Sequence, residues 1–191
     1  MSERDSPPFS PSGPRSGSSA DPEALAAVAL IRVRGSDPDY LLLRRAANPQ
    51  DPWSGHFALP GGRKDPEDRD LLETCIRETW EECGVKLQPG ELIRALPLAI
   101  AGGHMGRPMG VAPFLFEVES RPELLLDQKE IAAAYWLAQS YLLDPANRVR
   151  AAMAASHPDR EFPCIRVTGS EGAIWGFTYG ELEAFWESTP P

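Results

Sequence analysis

The sequence predicts a mixed α/β fold, in which a mixed central sheet carries helices on both faces. Strands come first, at about 26–34 and 40–45, a helix follows at about 70–83, and later strands and helices are mixed. The chain has 191 residues, of which 42% are hydrophobic, and this is enough for one domain with a buried core. Residues 1–22 are rich in Ser, Pro and Gly and predict a disordered tail, so the folded domain is expected over 23–188.

Hydrophobic periodicity and turn residues place the remaining elements. Further strands are predicted at 56–59, 92–101, 109–118, 131–137, 164–168 and 173–175. Further helices are predicted at 138–143, 146–155 and 179–187, and Asp68 or Asp70 is the expected N-cap of the 70–83 helix. A flexible connection is expected at 102–108, where Gly residues cluster.

The composition excludes several function classes. A net charge of −9 and a pI of about 4.9 argue against nonspecific nucleic-acid binding, which needs a basic surface. No apolar run approaches the length of a membrane span, and the N-terminal residues lack the apolar segment of a signal peptide. The three cysteines, Cys75, Cys83 and Cys164, have no metal-binding spacing. They indicate buried free thiols and a cytoplasmic location.

The most informative segment is the acidic C-terminal end of the 70–83 helix. Glu78, Glu81 and Glu82 crowd its last turns, where the negative end of the helix dipole disfavours carboxylates. At about 100° per residue these glutamates share an arc of about 100°, opposite an arc formed by Leu72, Ile76, Thr79 and Cys83. A bound cation would relieve the repulsion, and oxygen ligands suit Mg²⁺ or Mn²⁺. The alternative is a solvated acidic helix face, which is the usual explanation for clustered glutamates.

This segment resembles the signature of the Nudix hydrolase family. The matching residues are Gly62, an acid at Asp68, and the run Arg77-Glu78-x-x-Glu81-Glu82-x-Gly84. The gap between Asp68 and Arg77 is one residue longer than the general pattern, as in the coenzyme A pyrophosphatase branch of the family. The resemblance implies an α/β/α sandwich with a loop-helix-loop catalytic motif.

Two further segments resemble the same branch. Residues 41–46, Leu-Leu-Leu-Arg-Arg-Ala, precede Gly55-x-x-x-Leu59-Pro60-Gly61-Gly62, although Gln50 stands nearest to the position where the branch has an arginine. Residues 174–178, Ile-Trp-Gly-Phe-Thr, are similar to its C-terminal segment, and a packing role is expected for them.

The resemblance assigns expected roles to single residues. Glu78 and Glu82 would bind Mg²⁺ or Mn²⁺, with Glu81 completing the set, and Arg77 would orient a carboxylate. The general base is expected among Glu81, Glu82 and Glu130. Substrate contacts are expected from Arg45, Gly61 and Gly62. Weaker candidates, each with an ordinary structural explanation, are Glu117, Glu119, His56, His104 and Arg107.

The expected reaction is therefore metal-dependent hydrolysis of a diphosphate in a nucleoside diphosphate derivative. Coenzyme A or an acyl derivative is the first expected substrate, and its cleavage would yield adenosine 3′,5′-bisphosphate and a 4′-phosphopantetheine product. Alternatives are ADP-ribose, a dinucleoside polyphosphate or an oxidised nucleotide, or a nucleotide-binding module without turnover. The expected partner is a small molecule and not a membrane or a nucleic acid. The sequence leaves the oligomeric state open, with a homodimer among the alternatives.

Overall fold

The strands of one large sheet carry apolar side chains on both faces, and these faces organise the fold. The computed structural model describes residues 24–49, 51, 53–102, 108–153, 159–170 and 172–188. The strands of the large sheet are β1 (Ala24–Val33), β2 (Asp39–Arg45), β3 (Phe57–Ala58), β4 (Gly61–Arg63), β5 (Leu92–Ala95), β6 (Ala99–Ala101), β7 (Met109–Val118) and β8 (Ile131–Ala138). A second sheet contains β9 (Arg148–Ala152), β10 (Glu161–Arg166) and β11 (Ala173–Trp175). The helices are α1 (Leu71–Cys83), α2 (Gln139–Leu143) and α3 (Gly176–Ser188), and a 3₁₀ turn covers Pro89–Glu91.

The large sheet is mixed, as predicted. Its strand order is β3-β2-β1-β7-β5, with β4 paired to β1, β6 to β7 and β8 to β2. Strands β1 and β7 run parallel, with Ala27 opposite Ala112 and Ile31 opposite Phe116, while the other pairs are antiparallel. Parallel neighbours need a long crossover, and the chain places α1 between these two strands.

Alternating side chains on β1 and β2 divide the core into two clusters. Ala29 and Leu41 face the cluster that includes α1, whereas Leu30 and Leu42 face the cluster that includes α3. Successive strand residues point to opposite faces, so a run of apolar residues marks a strand that is covered on both sides. The predicted sandwich of helices around a mixed sheet is therefore confirmed.

The second sheet was not predicted, because residues 146–155 were assigned to a helix. That assignment is wrong: residues 148–152 form β9, which pairs antiparallel with β10 from Glu161 opposite Ala152 to Ile165 opposite Arg148. The alanine-rich run has a high helix propensity, but the backbone hydrogen bonds to β10 override it. Residues 154–155 lie outside the described part of the chain.

The strand predicted at 92–101 is interrupted. It forms β5 and β6, and residues 96–98 between them contain Pro97, which has no N–H to donate to a neighbouring strand. The backbone N–H of Leu96 instead donates to the carbonyl of Pro113 at 2.9 Å. Most of the connection predicted after this strand, residues 103–107, lies outside the described residues.

The three thiols of Cys75, Cys83 and Cys164 are free and buried, as predicted. Within the described residues, the structure contains no helix with the length and apolar character needed to cross a membrane.

Candidate active site

Helix α1 starts and ends where its flanking residues satisfy its free backbone groups. The Asp70 carboxylate caps the N-terminus by accepting a hydrogen bond from the backbone N–H of Glu73 at 2.9 Å. Asp68, the other predicted cap, has a different role, described below. Gly84 follows the last turn with φ of 73°, in the left-handed region that favours glycine, and its N–H donates to the carbonyl of Trp80 at 2.8 Å.

The three glutamates of α1 differ in burial. Glu82 is only 5% exposed, whereas the Glu78 side chain is 19% exposed and the Glu81 side chain 49%. They line one cavity of about 500 Å³, together with a loop that follows β7; the lining residues are Glu78, Trp80, Glu81, Glu82, Gly84, Leu125, Asp127 and Glu130. The structure thus brings Glu130 to the acidic side of α1, although 48 positions separate it from Glu82 in the sequence.

Glu82 is the most buried of the acidic side chains that line the cavity. Its Oε2 accepts a hydrogen bond from the backbone N–H of Gly61 at 2.9 Å, and its Oε1 lies 3.8 Å from a guanidinium nitrogen of Arg45. Burial raises the pKa of Glu82 to about 8, and the negative charges of Glu78 and Glu130 add to this effect. Burial also raises the pKa of Glu78. The positive groups near Glu78 and Glu82 therefore offset only part of the cost of placing these two carboxylates together.

Arg45 reaches the site from the end of β2. Its Nε donates to the Asp51 carboxylate at 2.8 Å, so the guanidinium is held between Asp51 and Glu82. The register of β2 against β8 is irregular between Arg44 and Arg45. Such irregularities change the direction of a side chain at the end of a strand.

The two glycines before α1 allow a close approach of backbone and carboxylates. Gly61 has φ of 141°, and a Cβ at this position would lie 2.2 Å from the carbonyl oxygen of Ala27 on β1. A Cβ at Gly62 would lie 2.4 Å from the carboxyl carbon of Glu78. Gly61 is thus required by the sheet, whereas Gly62 leaves space for the Glu78 carboxylate.

Arg77 connects four acidic and backbone groups around α1. Its Nε and Nη2 donate to the two carboxylate oxygens of Asp68 at 2.9 and 2.8 Å. Its Nη1 donates to Glu78 at 2.9 Å and to Glu81 at 3.0 Å, and Nη2 also donates to the carbonyl of Arg63 at 3.2 Å. The hydrogen bonds from Arg77 hold the pKa of the Asp68 carboxyl well below its usual range. These contacts hold three carboxylates around one guanidinium, and the orienting role of Arg77 stays a prediction.

The 124–130 segment covers the C-terminal end of α1. The backbone N–H groups of Leu125 and Asp127 donate to the carbonyls of Cys83 and Glu82 at 2.9 and 3.0 Å. These two carbonyls have no partner within the helix, so the segment provides their hydrogen bonds. Leu124 and Leu126 pack on the core, and the segment continues to Glu130.

The weaker candidates lie in other environments. Arg32 and Arg34 form ion pairs with Glu117, and Arg34 also pairs with Glu119, so both acids belong to a charge network at the C-terminal ends of β1 and β7. The His56 ring packs on Trp175, with ring centroids 5.0 Å apart. Trp175 is 7% exposed, in agreement with its expected packing role. Gln50, His104 and Arg107 lie outside the described residues, so the structure does not test the predictions for them.

Two acidic residues near the site, Asp68 and Asp127, make contacts that the sequence motif does not specify. Asp68 was considered for its position in the motif and as a helix cap, but its bidentate contact with Arg77 depends on the fold of the 63–70 segment. Asp127 lies outside the residues that match the motif. An Asp two residues before a backbone donor is a turn signal, and this signal could have identified it.

The carboxylates around the cavity are suitable ligands for a divalent cation, but their arrangement is not a complete metal site. Among the described residues, no group of three or more His, Cys, Asp or Glu side chains is arranged to hold a metal ion. Arg77 lies between Glu78 and Glu81 and keeps their carboxylates engaged. The buried carboxylates with raised pKa values around one cavity are nevertheless hard oxygen donors with unbalanced charge. A cation that takes few protein ligands and completes its shell with substrate phosphate and water fits this set.

Comparison with known sequences identifies the relatives of the chain. A family model described as "NUDIX domain" matches residues 23–156, more than half of the chain. The chain is 31% identical over 133 residues to the uncharacterized Nudix hydrolase NudL of Photorhabdus laumondii, which covers 68% of this chain and 71% of that protein. It is 33% identical over 119 residues to the uncharacterized protein C14C4.10c of Schizosaccharomyces pombe, which covers 60% of this chain but only 36% of that protein.

Comparison with solved structures supports the fold. A MutT/nudix family protein from Enterococcus faecalis matches with a TM-score of 0.57 at 14% identity, over 90% of this chain and 62% of that one. The NUDIX domain of Shewanella oneidensis NrtR, solved with ADP ribose, matches with a TM-score of 0.52 at 18% identity, over 64% of this chain and 77% of that one. At these identities the likeness shows a shared fold.

Proposed function

The chain belongs to the Nudix hydrolase family, and on that premise we propose that it hydrolyses a diphosphate linkage in a nucleoside diphosphate derivative with Mg²⁺ or Mn²⁺. The observation that carries the proposal is the convergence of Glu78, Glu81, Glu82 and Glu130 on one cavity of about 500 Å³. Such a volume lies in the range of small-molecule sites. The acidic lining alone would repel a diphosphate, so the site needs a cation to bind one.

In this proposal the buried and half-buried acids hold the cation. Glu82 is fixed by the backbone N–H of Gly61, and Glu78 is fixed by Arg77, so both present oxygens in a defined direction. A bound divalent cation would offset the charge of the diphosphate and make an attacking water more acidic.

Glu130 is the favoured general base among the three candidates. Glu82 is buried and accepts from Gly61, and Glu81 accepts from Arg77. Within the described part of the chain, the Glu130 carboxylate makes no hydrogen bond or ion pair, and it is exposed on the cavity. A carboxylate with free lone pairs beside the cavity can accept the proton of an attacking water.

Coenzyme A or an acyl derivative is the proposed substrate within this class. Its support is the resemblance of residues 41–46 and 55–62 to the coenzyme A pyrophosphatase branch, and the position of Arg45 beside Glu82. ADP-ribose is the second candidate. The related fold of the NrtR NUDIX domain was solved with ADP ribose, and Gln50 stands where the coenzyme A branch has an arginine for an anionic substrate.

A substrate panel tests both the reaction and the substrate. Coenzyme A, acetyl-coenzyme A, ADP-ribose, a dinucleoside tetraphosphate and an oxidised nucleoside triphosphate are incubated with the protein and either Mg²⁺ or Mn²⁺, and products are separated by chromatography. We expect adenosine 3′,5′-bisphosphate from coenzyme A, no product with chelator, and product formation slower by about 100-fold or more with Glu82→Gln. If ADP-ribose is cleaved while coenzyme A stays intact, ADP-ribose replaces coenzyme A as the proposed substrate. Calorimetric binding without any cleavage would instead indicate a nucleotide-binding module.

A further inference from the structure

Asp127 makes four hydrogen bonds at the junction between α1 and the turn that carries Glu130. Its backbone N–H donates to the carbonyl of Glu82 at 3.0 Å. Its carbonyl accepts from the N–H groups of Glu130 and Ile131 at 3.0 and 2.8 Å. Its side-chain Oδ1 accepts from the N–H of Lys129 at 3.0 Å. The same residue therefore binds the end of the acidic helix and closes the 127–130 turn.

The position of Glu130 depends on this turn. On its C-terminal side the carbonyl of Glu130 accepts from the N–H of Ala46 at 2.7 Å, which fixes the start of β8 beside the end of β2. On its N-terminal side the segment is joined to α1 by the backbone hydrogen bonds of Leu125 and Asp127. The 127–130 turn therefore connects Glu130 to the end of α1.

The backbone hydrogen bonds of Asp127 are available to any residue except proline at this position, but the side-chain bond is not. A carboxylate or amide oxygen that accepts from the backbone N–H two residues later stabilises a turn at its first position. Alanine cannot form this bond, whereas asparagine can form it without a charge. The side chain of residue 127 therefore selects one closed conformation of the turn.

We propose that Asp127 is a positioning residue for the reaction, which holds the Glu130 carboxylate at its working distance from Glu78 and Glu82. This proposal rests on the proposed function of Glu130 as general base. The contribution of Asp127 is geometric. Its Oδ1 accepts from the backbone N–H of Lys129, and this hydrogen bond fixes the backbone that leads into Glu130. The negative charge of Asp127 is not needed for this role.

A set of single and double variants tests the proposal in the full-length protein with the best substrate of the panel and saturating Mg²⁺. We expect Asp127→Ala to lower kcat about 10- to 100-fold, which is the loss that a small misplacement of a reacting group causes. Little change in KM is expected. Asp127→Asn is expected to stay within about threefold of the wild type, because its amide oxygen accepts the same bond. Lys129→Ala is the matched control, since it keeps the backbone donor and alters an exposed neighbour. Melting temperatures identify any variant that fails to fold.

The double variant Asp127→Ala/Glu130→Gln separates positioning of Glu130 from other roles. If Asp127 acts through Glu130, the double variant is no slower than Glu130→Gln alone. Multiplicative losses, an equal loss in Asp127→Asn and Asp127→Ala, or full activity of Asp127→Ala would each overturn the proposal. Full activity of Glu130→Gln would overturn it as well and would remove Glu130 as the base. A wild type that cleaves no substrate would instead contradict the proposed function.

Discussion

Arg77 holds both carboxylate oxygens of Asp68, with its Nε at 2.9 Å and its Nη2 at 2.8 Å. Asp68 is only 6% exposed, and the hydroxyl of Thr74 donates to the same carboxylate at 2.8 Å. The remaining nitrogen of the guanidinium contacts Glu78 and Glu81. The pair therefore links the segment before α1 to the acids on its exposed face.

Asp68→Asn is expected to lower the free energy of unfolding by about 2–3 kcal/mol, because it removes a charged acceptor from a buried bidentate contact. Catalytic turnover should fall as well, because Arg77 loses its anchor and no longer fixes Glu78 and Glu81. Urea unfolding followed by circular dichroism gives the stability, and the substrate assay gives kcat. Asp65→Asn is the matched control: Asp65 is 3.7 Å from Arg77 with an exposed side chain, so a change below about 1 kcal/mol is expected. Equal stability of both variants would show that the Asp68 contact contributes nothing specific.

The stability contributed by Asp68 should depend on pH in a defined direction. The hydrogen bonds from Arg77 lower the pKa of Asp68 in the folded protein below that of an unfolded Asp, which is about 3.9. A lowered pKa contributes stability that is complete above the unfolded pKa and is lost as pH falls towards the folded pKa. We therefore expect the stability difference between wild type and Asp68→Asn to be constant from about pH 7 to 5 and to shrink below about pH 4. Urea titrations at fixed pH values measure it, and a difference that grows in acid would contradict the assignment.

Glu82→Gln is expected to remain folded and to lose turnover by about 100-fold or more, a loss typical of removing a key electrostatic group. The amide is nearly isosteric, and its oxygen can still accept from the N–H of Gly61. Mg²⁺ or Mn²⁺ should raise the melting temperature of the wild type, since a cation at 100 times its Kd stabilises the folded state by about 2.7 kcal/mol. The variant should show a smaller shift. Differential scanning fluorimetry with and without chelator measures both proteins, and a folded, fully active variant would contradict the site assignment.

The adjacent glycines at 61 and 62 are expected to respond differently to alanine. Gly61→Ala should destabilise the protein by about 3 kcal/mol or more, because the new Cβ meets the backbone of Ala27 and Val28 on β1 and φ is 141°. Gly62→Ala should cost less than about 1 kcal/mol in stability, because the Cβ meets the end of the flexible Glu78 side chain. It should lower kcat about tenfold or more by displacing that carboxylate.

Gly35→Ala serves as the matched control for both glycine variants. No atom beyond its two chain neighbours lies within 4 Å of the position of its Cβ, so neither stability nor activity should change appreciably. Thermal unfolding and the substrate assay are measured for the three variants together. Equal stability of Gly61→Ala and Gly35→Ala would contradict the close packing of β4 on β1.

The sequence was sufficient to predict the elements whose signals are local. Helix α1 follows from its apolar arc and from Asp70 and Gly84 at its ends, and β1 and β2 follow from apolar runs separated by a turn. The 148–152 segment was assigned wrongly, because its alanines favour a helix and only pairing with β10 makes it a strand. Local patterns carry no information about such distant partners.

The same distinction applies to the candidate site. The acids of α1 were identified because they share one helix face, and the grouping of Glu130 with them was suggested by resemblance alone. The contacts of Asp68 and Asp127 depend on backbone geometry in loops, which the motif spacing does not specify. The Arg45 contact with Glu82 likewise lies where the pairing of β2 with β8 is irregular, which the motif spacing does not specify.

The hydrogen bonds from Leu125 and Asp127 to the last carbonyls of α1 join two parts of the chain that are about 40 positions apart in the sequence. If the 124–130 segment opens, the helix end frays and Glu130 moves away in the same event. Amide protons of Leu125 and Asp127 should consequently exchange with solvent at a common rate, slower when a nucleotide and a cation are bound. Assembly and disassembly of the acidic cavity would then occur as one cooperative step.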